Sequence, residues 1–190
     1  MRRVSLALVP LACLLAACVY TIHPVVPAGG HGRLPALAGT WAGEAATLRL
    51  TIVEEADSSY LIIYTDEEGQ TGRFVGRVAE VGGVMVLDVT PEERDLGLGE
   101  SYQSLLLPLH AVFVVRHADR ELRLAQLQPD SVRAHLTRLP NASGWVDRDG
   151  TLVLTADTPG LRQLIAAFAA RPGFLEEAEP LVRLAPGRGR

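Results

Sequence analysis

The chain has 190 residues, 48% of them hydrophobic, with 22 acidic against 18 basic side chains and a formal net charge of −4. That length suits one domain with a sizeable core, and a mildly acidic balance lacks the basic footprint that nucleic acid requires. Every one of the 18 basic residues is arginine, so Schiff-base chemistry, a P-loop, a Ser-x-x-Lys pair and a kinase-type phosphate lysine are excluded.

Arg2 and Arg3 make a short positive start, followed by an apolar run from Val4 to Leu15. The run is too short to cross a hydrocarbon core of roughly 30 Å as a stable helix. It ends in Leu15-Ala16-Ala17-Cys18, which resembles the lipobox of bacterial lipoprotein signals. An ordinary secretory signal with a coincidental cysteine is the alternative. The resemblance implies that residues 1–17 are removed, that Cys18 carries a diacylglycerol on its sulfur, and that its amine is often acylated too. Each buried methylene contributes about 0.8 kcal/mol, so two or three acyl chains make a durable anchor. The membrane partner implied is the bacterial cell envelope. Val19 stands where an Asp in enterobacterial lipoproteins tends to retain the protein at the inner membrane, which favours the outer membrane's periplasmic face in a Gram-negative cell.

Processing at Cys18 also removes Cys13, Arg2 and Arg3. The mature side chains then carry 16 Arg against 22 acids, a formal −6, and the domain keeps no thiol. Intradomain disulfides, thiolate catalysis and thiolate metal sites are excluded.

Residues 19–36 hold Pro and Gly without periodicity and read, with Cys18, as a tether over 18–36. Fully extended, it would reach at most about 60 Å. His23 and His31 within it read as solvated. The domain is expected over 37–185, with a frayed tail at 186–190. Thr47 to Val53 alternates polar and apolar residues, as a half-buried strand does. Tyr60 to Tyr64 reads as a second strand, and Asp66-Glu67-Glu68-Gly69 turns into a third around Arg73 to Val81. Gly82-Gly83 then makes a two-residue hairpin to Val84–Val89.

Pro91 to Gly99 reads as a charged loop, and Leu105–Arg116 and Glu121–Leu127 as a strand pair around His117–Arg120. A short helix is expected over Pro129–Leu139, with Val132, Leu136 and Leu139 on one face. Asp147-Arg148-Asp149-Gly150 turns into a strand at Thr151–Thr155. A second helix starts with Thr158 as cap and Pro159 in its first turn, where the missing N–H costs nothing. Leu161, Leu164, Ile165 and Phe168 share one face, and Arg171-Pro172-Gly173 ends it. Leu181 to Leu184 reads as a final edge strand. The fold class is therefore mainly β (α+β): an antiparallel sheet, sandwich or partly closed barrel, with two short helices.

Gly39-Thr40-Trp41 resembles the G-x-W signature of lipocalins and related small barrels. In that family the Trp closes one barrel end, often under an Arg from a late strand, and the cavity holds a small apolar ligand. The resemblance implies a ligand-binding role for Trp41 with Arg183 as the late-strand candidate. A Trp that only plugs the core is the reading preferred at this point.

His110 and His117 are seven apart, which on one strand places them on opposite faces about 23 Å apart. With Asp119 they form the candidate for a hydrolase site, should a turn bring them together. His135 reads as a boundary residue. Asp147-x-Asp149-Gly150 resembles part of a calcium loop but lacks the distal Glu, so a hairpin turn is preferred. Gly97-x-Gly99 lacks a nucleotide-loop context, and Asn141-Ala142-Ser143 is a sequon by pattern only. Glu54/Glu55 and Glu92/Glu93 read as solvated. No catalytic residue, metal site or cofactor is assigned. The leading expectation is a non-enzymatic, membrane-anchored envelope lipoprotein with a binding or structural domain. A lipocalin-like carrier of a small apolar ligand and a hydrolase are the alternatives.

Overall fold

Period-two alternation from residue 48 onward builds a meander that closes on itself. The computed structural model describes residues 19–43, 48–92, 107–118, 120–138, 144–148 and 150–185; Cys18 and the expected signal over 1–17 lie outside them. The strands are β1 (Val19–Thr21), β2 (Gly39–Ala42), β3 (Arg49–Glu54), β4 (Tyr60–Thr65), β5 (Thr71–Val81), β6 (Val84–Pro91), β7 (His110–Ala118) and β8 (Glu121–Leu127). Helix α1 (Pro129–Leu136), strands β9 (Trp145–Arg148) and β10 (Thr151–Leu154), helix α2 (Thr158–Ala169), β11 (Leu175–Glu177) and β12 (Leu181–Arg183) follow.

Strands β2 to β8 pair in sequence order, and β12 inserts antiparallel between β8 and β2. The result is a closed eight-stranded antiparallel barrel, and closure leaves it no free edge. β12 is thus the closing strand and not the edge strand expected at Leu181–Leu184. Pattern alone shows that a strand is present, but which neighbours it pairs with is set by sheet curvature. β1, β10 and β9 branch off β7, and β11 pairs with the end of β8.

Two cores follow from the two faces of the wall. Inside the barrel, Trp41, Leu50, Ile52, Tyr60, Ile62, Val78, Leu87, Phe113 and Leu122 belong to one buried cluster. Outside, Ala79, Val81, Val86 and Val112 pack beneath β1, β10, α1 and α2, which contribute Val19, Leu152, Leu154, Val132, Leu136, Leu161, Ile165 and Phe168. The near-continuous apolar run of β6 reflects this burial on both faces.

The tether expected over 18–36 is corrected for its described part: Val19–Thr21 pairs with both β10 and β7, and Val25 and Val26 are 0% and 1% exposed. The domain begins at residue 19 among those described. Aperiodic sequence misled here because side chains from elsewhere satisfy this backbone. Asp88 accepts from the N–H groups of Val25 and Val26, Arg162 donates to Val25 O and Glu80 O, and Thr158 Oγ1 donates to Pro24 O. Thr158 is therefore not the cap of α2. Asp157 caps it, accepting from Gly160 N at 3.0 Å, which fits the higher N-cap rank of Asp over Thr.

Candidate functional site

One end of the barrel is stoppered. Pro35–Leu37 form a 3-10 turn across it, with Leu37 fully buried. Trp41, 0% exposed, donates its indole N–H to Leu37 O at 2.9 Å. Arg183 of β12 stacks over that indole, its guanidinium carbon 4.2 Å from the ring centre. The same guanidinium donates to Ala38 O at 2.8 Å and to Ala36 O. One cation thus ties the last barrel strand, the first barrel strand and the 3-10 turn together.

Gly39 is what allows it. Its φ is +147°, and a Cβ there would lie 2.5 Å from Arg183 Nη1. Thus Gly, Trp and Arg fit as a set: no side chain at 39, a flat ring at 41, a fork from 183. Beside them Tyr60 is fully buried and accepts from Leu34 N at 2.7 Å. Burial pushes its hydroxyl pKa up from the ordinary value, against the lowering effect of that bond.

The opposite end is where the connections β2–β3, β4–β5, β6–β7 and β8–β12 lie. Tyr64 and Gly72 pair there in one row, and Ile62 and Phe74 in the next row inward. Tyr64 and Phe74 are half-buried and pack against the inner cluster. The Tyr64 hydroxyl pKa is raised by burial first, then by the negative charges of Asp66, Glu67 and Glu68 on the adjoining turn. Between the two ends the wall is close-packed. A Cβ on Gly76 would lie 2.7 Å from Ile62 Cδ1 and 3.1 Å from Leu87 Cδ1.

No family model matches this chain, and no curated protein or solved structure matches it at significant similarity.

The pairing of Trp41 with Arg183, expected from the lipocalin resemblance, is realised in space. The His110, His117, Asp119 grouping is not. His110 and His117 lie at opposite ends of one continuous strand, β7, and Asp119 lies outside the described residues. His110 instead meets Asp88 of β6, Nδ1 to Oδ1 at 2.7 Å. Asp88 is 3% exposed, and its other oxygen accepts from Val25 N at 2.6 Å and Val26 N at 2.9 Å. The pair fastens the N-terminal segment to the barrel. The readable signal was a lone acid in the apolar run Val84–Val89, since a charge is buried only when paired.

The remaining candidates fall into ordinary roles. His31 contacts Asp57 O at 2.6 Å, and His135 lies edge-on to Phe168 and Phe174. Asp147 pairs with Arg133, Glu54 with Arg33 and Glu92 with Arg73. Among the described residues no group of three His, Cys, Asp or Glu could hold a metal ion. Cys18, Glu93, Gly97, Gly99, Asn141, Ser143 and Asp149 lie outside the described residues.

Proposed function

We propose that this protein is a membrane-anchored cell-envelope lipoprotein whose barrel is a non-enzymatic, lipocalin-like binding domain for a small apolar molecule. The observation that carries the reading is the stopper of Arg183 over Trp41 at one end of a closed eight-stranded barrel. A barrel of that size either fills with side chains or holds one small ligand. With one end sealed, a ligand enters at the other, past Tyr64 and Phe74. Half-buried aromatic rings there offer apolar area and a polar tip, which suits a molecule with a hydrocarbon body. The anchor rests on the lipobox ending in Cys18.

Titration of the Trp145→Phe protein, in which Trp41 is the sole tryptophan, with fatty acids tests the carrier reading. Saturable 1:1 binding that shifts Trp41 emission, and that Phe74→Arg weakens, is expected. Absence of saturable binding across fatty acids and isoprenoids would leave a structural domain instead. The tight packing of Ile62 and Leu87 around Gly76 favours that second reading for the sealed half of the barrel. The anchor is tested separately: Cys18→Ser should abolish palmitate incorporation and release the protein from membranes.

A further inference from the structure

We propose that the free edge of β9 pairs with the β9 edge of a second copy of this chain, antiparallel and centred on Val146, in a reversible dimer. This is independent of the anchor and of what the barrel binds. Among the described residues the sheet has two ends, β11 and β9. β11 is three residues long, and two of them are the exposed acids Glu176 and Glu177. Charges in an edge strand deter pairing with another chain. β9 has no such guard at its centre: Val146 is 53% exposed, and no proline interrupts Trp145–Arg148.

The phase of the β9–β10 hairpin shows which backbone groups are free. Thr155 N donates to Gly144 O at 2.6 Å, and the register that sets Thr151 opposite Arg148 and Leu154 opposite Trp145 brings these two residues face to face. Gly144 and Thr155 are thus a hydrogen-bonded pair. At every second position, so are Val146 with Val153 and Arg148 with Thr151. Trp145 and Asp147 fall between, with their N–H and C=O groups pointing away from β10. The other strand agrees: Leu154, opposite Trp145, turns its carbonyl outward and accepts from Ile22 N at 3.1 Å. On the outer side of β9 no strand lies among the described residues.

Few registers suit a second copy. A two-fold antiparallel pair must match outward-pointing residues with outward-pointing residues, so the axis passes through a residue and not between two. Centred on Asp147 or Arg148, it would set like charges directly opposite, which destabilises a ladder. Centred on Trp145, it would pair Asp147 with a residue beyond the strand. Centred on Val146, each Trp145 faces Asp147 of the other copy, and every outward group of both strands is used. The two valines then meet at a non-hydrogen-bonded position, where opposed Cα atoms approach to about 4.5 Å and β-branched side chains pack well. Asp147 brings no unbalanced charge, because Arg133 Nε already holds its carboxylate at 2.5 Å. A contact along a strand of four residues is far smaller than a permanent dimer's interface, so the pairing is concentration-dependent.

Hydrogen exchange followed by NMR on the full-length chain in detergent, dilute and concentrated, provides the test. The amides of Trp145 and Asp147 should slow about tenfold once about nine-tenths of the chains are paired, in step with a doubling of mass in sedimentation. The Val146 amide, already bonded within the hairpin, should not change. Asp147→Pro removes an outward N–H and none from the hairpin, and Val146→Arg puts like charges on the axis. Each should keep the chain monomeric. Rates at 145 and 147 that do not depend on concentration overturn the proposal, whatever the variants do. A dimer that survives Asp147→Pro overturns β9 as the interface, and one that survives Val146→Arg overturns the register.

Discussion

Arg183 and Trp41 are register partners on adjacent strands, and the guanidinium of one lies 4.2 Å from the ring centre of the other. The contact is more than a cation over a ring. Two nitrogens of the same group also hold the carbonyls of Ala36 and Ala38. Arg183→Ala should therefore cost about 2–4 kcal/mol, the sum of charge-assisted hydrogen bonds and the ring contact. Arg183→Lys should recover less than half of that, because a single ammonium cannot span both carbonyls. Gly39→Ala should destabilise by about 2 kcal/mol through the displaced guanidinium and the strained φ. Urea unfolding midpoints at constant m-value measure all three. Equal stability of Arg183→Lys and wild type would refute the fork argument.

Asp88 carries a second, independent prediction. Its carboxylate holds two backbone N–H groups and His110 at 3% exposure. Asp88→Ala leaves three buried donors or acceptors without partners and should cost about 3–5 kcal/mol. Asp88→Asn, which keeps an oxygen for Val25 and Val26, should cost less. Hydrogen exchange at these two amides gives the specific readout: protection should collapse in the alanine variant before global unfolding.

Tyr60 makes stability fall in alkali. Burial raises its hydroxyl pKa above the ordinary tyrosine value of about 10. The folded protein then holds a proton that the unfolded chain releases first. The associated stability is complete below the ordinary value and is lost as pH rises through the folded one. Tyr60→Phe should be less stable at neutral pH by about 1–2 kcal/mol, since Leu34 N–H loses its acceptor. The gap between wild type and variant should narrow as pH rises to about 11. Urea titrations at both pH values decide it; a gap that widens would reverse the sign of the argument.

The β5–β6 hairpin offers a paired test. Gly82 and Gly83 have φ of +61° and +82°, as a type I′ turn demands. A Cβ on Gly82 would lie 2.4 Å from Ala166 Cβ on α2, whereas Gly83 has nothing within 4 Å. Gly83→Ala should cost about 1 kcal/mol from backbone strain alone. Gly82→Ala should cost clearly more, as it pushes α2 off the barrel wall. Thermal melts of the two variants side by side provide the comparison.

Much of the barrel was legible along the chain. The alternation around Leu48 to Ile52, the glycine pair at 82–83 and the helical spacing of Leu161, Ile165 and Phe168 each led to an element found near its expected bounds. The failures share a cause. Val19–Thr21 is a strand because β7 and β10 flank it, and Asp157 displaced Thr158 as cap while Thr158 reached back to Pro24. The sealed end is half legible in the residues, through Gly39, Trp41 and Arg183, whereas the hold of Asp88 on Val25 and Val26, toward the other end of β6, leaves no local pattern.

The residues alone determined what rests on local chemistry: the absence of lysine and of any cysteine after position 18, and the turns and alternation that make strands. Only the tertiary structure decided what joins distant segments. Arg183 reaches Ala38 across 145 positions, Asp88 reaches Val26 across 62, and β12 closes the barrel between β8 and β2. The physical reason is that periodicity reports which face of an element is buried, whereas a partner is chosen by the twist and register accumulated over every strand in between.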